Sequence, residues 1–321
     1  MPLDTPFLAL FALLVGGALA IDLGLFGRSR HSPSTRAALA WTGIWIALAL
    51  GFGVLLALAR GGTTGVEYLT AYVIEYSLSV DNVFVFSLVF AAFAVPHEQR
   101  HRLLFWGVIG ALVMRLAMIL AGVALIERFD WILLVFGALL LVTALRIARA
   151  GHDAATPGDS LVVRLLRRRI PVVDGSQGAF LVRSRGKWAV TPLLLALVVI
   201  ETSDLVFALD SIPAVFGVTT DPLVVYTSNA FAVLGLRSLA VVVSDATSRL
   251  RYLRLGLSGV LGFVGLKMLL GDLVHLPPLL SLGVVVGILA IATVASVPAA
   301  RTGVPARLEL RAPRLEGPGR P

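Results

Sequence analysis

The chain has 321 residues, 58% of them apolar and 14% charged, with a mean hydropathy of +0.92, which excludes a soluble globular domain and points to a polytopic membrane protein. Cysteine is absent, so disulfide frameworks and thiolate metal sites are excluded, and any metal must be held by oxygen or nitrogen. The formal charge of +8 comes from short basic segments between apolar spans, which the positive-inside rule explains without nucleic acid as a partner.

Nine apolar stretches reach the length that a helix needs to cross a bilayer, about 17 to 25 residues. They are 6–26, 37–58, 66–95, 103–126, 131–148, 189–216, 223–243, 253–270 and 279–297, so the expected fold is all-α with about nine transmembrane helices. Residues 1–65 hold the first two. The first has no basic residue before it and runs into Asp22 and a Gly-rich exit, so it is expected as a retained helix rather than a cleaved signal peptide. Residues 66–148 hold three spans, 149–188 a basic connection, 189–270 three more spans, 271–297 the last, and 298–321 a Pro-, Arg- and Gly-rich cytoplasmic tail expected to be disordered. The connection carries His152, Pro157 and R-L-L-R-R-R from Arg164 to Arg169, then D-G-S-Q-G between short apolar runs. It reads as a surface-bound amphipathic helix followed by a small hairpin, serving as a topology anchor or as a lipid-binding, regulatory segment. With the N-terminus outside, the inner loops hold 21 Lys and Arg residues and the outer loops 2, an asymmetry that predicts this orientation, with the C-terminus in the cytoplasm.

Two of the spans carry charge where lipid is expected. Residues 75–90 read E-Y-S-L-S-V-D-N-V-F-V-F-S-L-V-F, and residues 204–216 read D-L-V-F-A-L-D-S-I-P-A-V-F. Both place two carboxylates six residues apart, Glu75 with Asp81 and Asp204 with Asp210. Aligning these pairs brings the following spans into step, with Arg115 and Arg237 as mid-span arginines and Arg146 and Lys267 further on. Two three-span units result, and because three is odd the second must enter from the opposite side, giving an inverted repeat. Positions six apart on a regular helix differ by about 120° in direction, so one straight helix would not aim both carboxylates inward. Pro213 and Asn82 suggest that the helices unwind just after the second carboxylate, with a simple kink at Pro213 as the alternative.

Charged groups at bilayer depth cost roughly 2.5 to 3.5 kcal/mol each, so Glu75, Asp81, Glu201, Asp204 and Asp210 are expected to line a cation or proton path, or else to form buried ion pairs with Arg115 and Arg237. Asp22, near a span end, contributes to the site or only caps and snorkels. Arg115 and Arg237 read as counter-charges that hold carboxylates or repel ions at one stage. Asn82, Ser79, Ser211 and Asn229 offer neutral oxygens, although polar packing between helices accounts for them equally well. Oxygen-rich ligation without sulfur or a spaced histidine pair favours hard cations such as Mn²⁺, Mg²⁺ or Ca²⁺.

At these residues the sequence resembles the TerC family of integral membrane proteins. The shared phrases are E-Y-S-L-S-V-D-N from Glu75, T-P-L-L-L-A-L-V-V-I-E from Thr191, the Asp204 motif, and T-S-N-A-F-A-V-L-G-L-R-S-L from Thr227, with a weaker match from Gly256. The resemblance implies a bacterial inner-membrane manganese exporter or homeostasis protein with a fold akin to the lysine-exporter superfamily, and no tightly bound cofactor. The expectation is thus a non-enzymatic secondary transporter exchanging Mn²⁺ for protons. The alternative is a non-transporting membrane partner that supports metalloenzyme loading or secretion machinery, or a tellurium-resistance component.

Overall fold

The computed structural model describes residues 4–26, 35–129, 131–149, 179–184, 187–243, 253–270 and 276–301. Along the apolar runs the backbone closes on itself as helix, because no other unpaired structure satisfies its N–H and C=O groups in lipid. The order is α1 (Asp4–Phe26), α2 (Thr35–Arg60), α3 (Gly62–Leu78), α4 (Val80–Ala92), α5 (His97–Arg128), α6 (Ile132–Arg149), strands β1 (Leu181–Ser184) and β2 (Lys187–Val190), then α7 (Pro192–Phe216), α8 (Pro222–Val243), α9 (Leu253–Leu269) and α10 (Pro278–Arg301). Among the described residues, five helices are long and apolar enough to cross a membrane: Arg36–Arg60, Glu98–Arg128, Ile132–Arg149, Pro192–Phe216 and Pro278–Ser296. Shorter apolar stretches lie in α1, α8 and α9. The described residues form an all-α integral membrane protein apart from a single hairpin.

The expected span 66–95 is two helices. α3 ends at Ser79 and α4 begins at Val80, with the Asn82 N–H closing a tighter turn onto the Ser79 carbonyl at 3.0 Å. The break therefore falls between the two carboxylates of the motif, ahead of Asp81 rather than after it. α7 also departs from expectation, because it runs unbroken through Asp210 and Pro213 to Phe216. Proline costs this helix one hydrogen bond, but Ile212, Ala214, Val215 and Phe216 are buried around it, and that packing holds the last turn in place.

Connections fix the neighbours. Gly61 alone joins α2 to α3 at φ 102° and ψ 157°, a conformation open essentially to glycine, and a Cβ at Gly65 would overlap Ala57 where the two helices cross. α7 starts under Thr191, whose Oγ accepts from the Leu194 N–H at 3.3 Å while Pro192 takes the first turn. The hydroxyl also donates to the Ala179 and Phe180 carbonyls, tying the hairpin to the helix. In that hairpin Arg183 pairs directly with Trp188, which is 66% exposed. The strands lie C-terminal to D-G-S-Q-G, which is outside the described residues, as is the basic run 164–169.

Core packing places α3, α7 and α8 at the centre. α2 and α8 flank α3, α5 packs on α7 and α8, α4 on the same two, and α10 on α3 and α9. The two ends of the bundle are marked by contacts between distant loops. Arg60 pairs with Asp221 at 2.7 Å, and Asp221 also caps α8 through the Leu223 N–H. At the other end the Arg102 guanidinium lies 5.2 Å from the Phe180 ring centroid.

α6 and α9 meet through backbone. A Cβ at Gly265 would stand 2.8 Å from the Gly137 carbonyl oxygen, and one at Gly137 would stand 3.0 Å from the Gly265 oxygen. Gly265→Val is therefore expected to force the pair apart at a cost of about 1 to 3 kcal/mol, whereas Gly262→Ala meets only the Ala144 methyl at 3.8 Å and should be close to neutral. Melting temperatures of the two purified variants check this.

Candidate functional site

The charged centre is built around Arg115, a long side chain from the middle of α5 that is 1% exposed. Its Nε donates to Asp204 Oδ2 at 3.0 Å and its Nη2 to Asp204 Oδ1 at 2.9 Å, a bidentate fork from α5 to α7. Its Nη1 donates to Glu75 Oε1 on α3 and to Asn229 Oδ1 on α8, the latter at 3.0 Å. One guanidinium thus ties three neighbouring helices to its own. Glu75 is 0% and Asp204 4% exposed, so both would be prohibitively costly as unpaired ions.

Neutral groups complete the cluster. Ser79, at the junction of α3 and α4, donates to Glu75 Oε1 at 3.2 Å, and Ser211 on α7 donates to the same oxygen at 3.3 Å. Asn82 on α4 donates from Nδ2 to Asp204 Oδ1 at 3.1 Å. The seven-residue interval from Asp204 to Ser211 keeps both on one face of α7, and the four-residue interval from Glu75 to Ser79 does the same at the end of α3. Two buried acceptors of the cluster, Glu75 Oε2 and Asn82 Oδ1, have no hydrogen-bond partner. Beside Asn82 and Asp204 lies a cavity of ≈20 Å³ between α4, α5, α7 and α8, lined elsewhere by apolar groups such as Phe86, Leu104 and Ile200, with room for a single water or a bare ion.

Not every sequence candidate joins this centre. Asp210 stands apart: its carboxylate accepts from Thr143 on α6 at 3.0 Å, since the straight α7 carries it about 120° round from Asp204. Glu201 lies on the α5 side of α7, where its carboxylate fills the space left by Gly107 and Gly110. The side chains of Asp22, Asp81 and Arg237 are outside the described residues. Among the described residues, no three Asp, Glu or His groups converge as a ready-made metal cage. Sequence reading missed Thr143 and the two glycines; Gly107 and Gly110, three apart in an apolar span, carried the signal of a close helix contact.

A membrane-embedded helical bundle closed around a buried carboxylate–guanidinium cluster is the class that fold and site define. The chain belongs to the integral membrane protein TerC family, whose pattern it matches over residues 60–303. It is 45% identical over 287 residues to an uncharacterized membrane protein of Myxococcus xanthus, covering 89% of this chain and 90% of that one. It is 44% identical over 289 residues to an Escherichia coli K12 protein bearing the name Alx, membrane-bound redox modulator, covering 87% and 90% of the two chains. A membrane protein of Rickettsia bellii is 33% identical over 289 residues, with 90% and 96% covered. No solved structure matches.

Because a Cβ at Gly110 would overlap only the Glu201 carboxylate, the far end of a flexible side chain, Gly110→Ala is expected to swing that carboxylate aside at a small cost, up to about 1 kcal/mol. Adding Glu201→Ala removes the overlap, so the double variant should recover most of the loss. Thermal melts of the parent, both single variants and the double variant give the coupling between the two positions.

Proposed function

We propose that this protein is a secondary transporter that exports a divalent cation, with Mn²⁺ as the leading candidate, through the centre formed by Glu75 and Asp204. The observation that carries the reading is the charge of the cluster: two buried carboxylates face one guanidinium, and two buried acceptor oxygens are left without a donor. Such a site is one positive charge short, and acceptor oxygens from carboxylate, amide and hydroxyl are the ligand set of hard cations. Glu201, half-buried near the cavity, adds a further oxygen donor close by. Asp210 is assigned to the path beyond the centre, and Asp81 keeps the role read from the sequence, a carboxylate of the cation path. We place Asp210 with Thr143 as a separate station rather than a fourth ligand.

Alternating access follows from an inverted repeat of α3–α6 and α7–α9, read from the sequence. The helix contacts support this, because they are reciprocal: the first helix of one unit packs on the second of the other, α3 and α4 on α8 and α7 on α5, while the third helices, α6 and α9, pack together. A two-fold axis generates that pattern. The N-terminus is placed outside and the C-terminus in the cytoplasm of a bacterial inner membrane. The positive-inside count carries the orientation. The Arg60–Asp221 and Arg102–Phe180 contacts at opposite ends agree with its pairing of loops. Moving two positive charges outward against 100 mV costs about 4.6 kcal/mol, so proton counterflow through the same carboxylates is the proposed compensation.

The relatives named as redox modulators are compatible with ion movement. A chain without cysteine has no thiol–disulfide chemistry of its own, so an effect on redox state would be indirect, as a change in metal supply is. The second reading, a non-transporting partner for secretion or metalloenzyme loading, draws on the Arg115 ion pairs and hydrogen bonds, which brace α3, α7 and α8 against α5.

Uptake of Mn²⁺ into inside-out vesicles or proteoliposomes separates the two. Asp204→Asn and Glu75→Gln are each expected to lower it at least 100-fold while leaving membrane insertion intact, and Asp210→Asn to lower it without disturbing the Arg115 cluster. Parent-level transport in Asp204→Asn would refute the site. For topology, a reporter fused after Arg167 should report cytoplasm and one between Asp272 and Pro277 the outside; the reverse pattern would overturn the orientation.

A further inference from the structure

Arg115 is the one charged group of the centre that an exporter of cations would not need in order to bind them. Its geometry is that of an occupant. The two Asp204 oxygens and Glu75 Oε1 all accept from the guanidinium, and the remaining lone pairs on Asp204 Oδ1 and Glu75 Oε1 are taken by Asn82, Ser79 and Ser211. Every carboxylate oxygen but Glu75 Oε2 thereby has a donor, so a metal ion that binds both carboxylates competes with the fork for the same oxygens.

We infer that Arg115 is a tethered stand-in for the cargo: the guanidinium and the metal ion are alternative occupants of the Glu75–Asp204 site. This rests on the exporter reading of those two carboxylates. Like charges at contact distance in a dry interior repel strongly, so binding of a divalent cation expels the guanidinium and its departure invites the cation. The exchange answers a difficulty of carriers with buried acids, namely that an emptied site would leave two carboxylates uncompensated during the return step. With the fork closed, one of the two carboxylate charges of the empty carrier is compensated by a group that never leaves the protein, and the returning proton compensates the other. Arginine suits the part because it stays charged and grips a carboxylate through two parallel hydrogen bonds, where lysine offers a single point charge. The unpartnered Glu75 Oε2 and Asn82 Oδ1 mark where an arriving cation first finds free oxygen.

The test uses the purified full-length chain, with MnCl₂ as the probe, and compares the parent with Arg115→Gln, Arg115→Lys and Glu75→Gln. Without metal, Arg115→Gln should melt below the parent. MnCl₂ should raise its melting temperature more than the parent's, and Mn²⁺ affinity should tighten roughly tenfold. In proteoliposomes the same variant should keep Mn²⁺/Mn²⁺ exchange but lose net transport, a split that a merely structural arginine would not produce. Arg115→Lys keeps the charge with a weaker hold, so it should bind Mn²⁺ several-fold more tightly than the parent; should Arg115→Gln fail to fold, this variant decides. Unchanged or weaker affinity in the folded Arg115 variants, with parental binding abolished by Glu75→Gln, would overturn the stand-in role and leave the exporter reading intact. Absence of Mn²⁺ binding by the parent would overturn both.

Discussion

Everything at the centre of this protein depends on keeping ionised groups out of water without leaving them alone. Glu75 and Asp204 sit on two helices far apart in sequence, and a single guanidinium from a third satisfies both. Removing either partner of a buried pair of this kind costs roughly 3 to 5 kcal/mol, although the intact pair contributes little net stability. The cluster is therefore better understood as a constraint on which helices must be neighbours than as a source of stability. α3, α5, α7 and α8 meet there, and the meeting gives each of the two carboxylates a donor from the same guanidinium. The apolar clusters around them, such as Phe11, Phe52 and Phe231 on one side and Leu140, Val260 and Leu261 on another, supply the packing that the ions do not.

The two motif helices meet the same constraint differently. At the end of α3 the chain brings Glu75 to Arg115, Ser79 to Glu75 and Asn82 to Asp204 within eight residues. Intervals of four and seven residues set these three positions on one face, and the tightened turn at Ser79 falls between them without turning them apart. On α7, Asp204 and Ser211 likewise share a face, and the helix continues through its proline.

Much of the centre could be read from the sequence because charge and amide groups in apolar runs are conspicuous. Glu75, Asp204, Arg115, Asn82, Ser79, Ser211 and Asn229 all stand out for that reason, and the structure gathers them. What could not be read was pairing. The six-residue interval pointed Asp210 away from Asp204, but the assumption that Pro213 unwinds the helix overrode it; the packing around Pro213 comes from other helices and leaves no local trace. Thr143 was invisible because one threonine in an apolar span is ordinary, and the break at Ser79 because no glycine or proline marks it. The described hairpin pairs Leu181 with Val190 and Arg183 with Trp188, while D-G-S-Q-G lies outside the described residues.

That hairpin also sets a depth. Trp188 and Arg183 form an amphipathic couple of the sort that settles at the boundary between headgroups and hydrocarbon, and only Ala189, Val190 and the capping Thr191 separate it from the first turn of α7. Counting from Pro192 at 1.5 Å per residue, Asp204 lies about 18 Å along the helix axis, close to half of a hydrocarbon layer about 30 Å thick. A short strand would thus work as a plumb line: with the indole at that level and α7 along the bilayer normal, the Asp204 carboxylate would hang near the middle of the hydrocarbon layer.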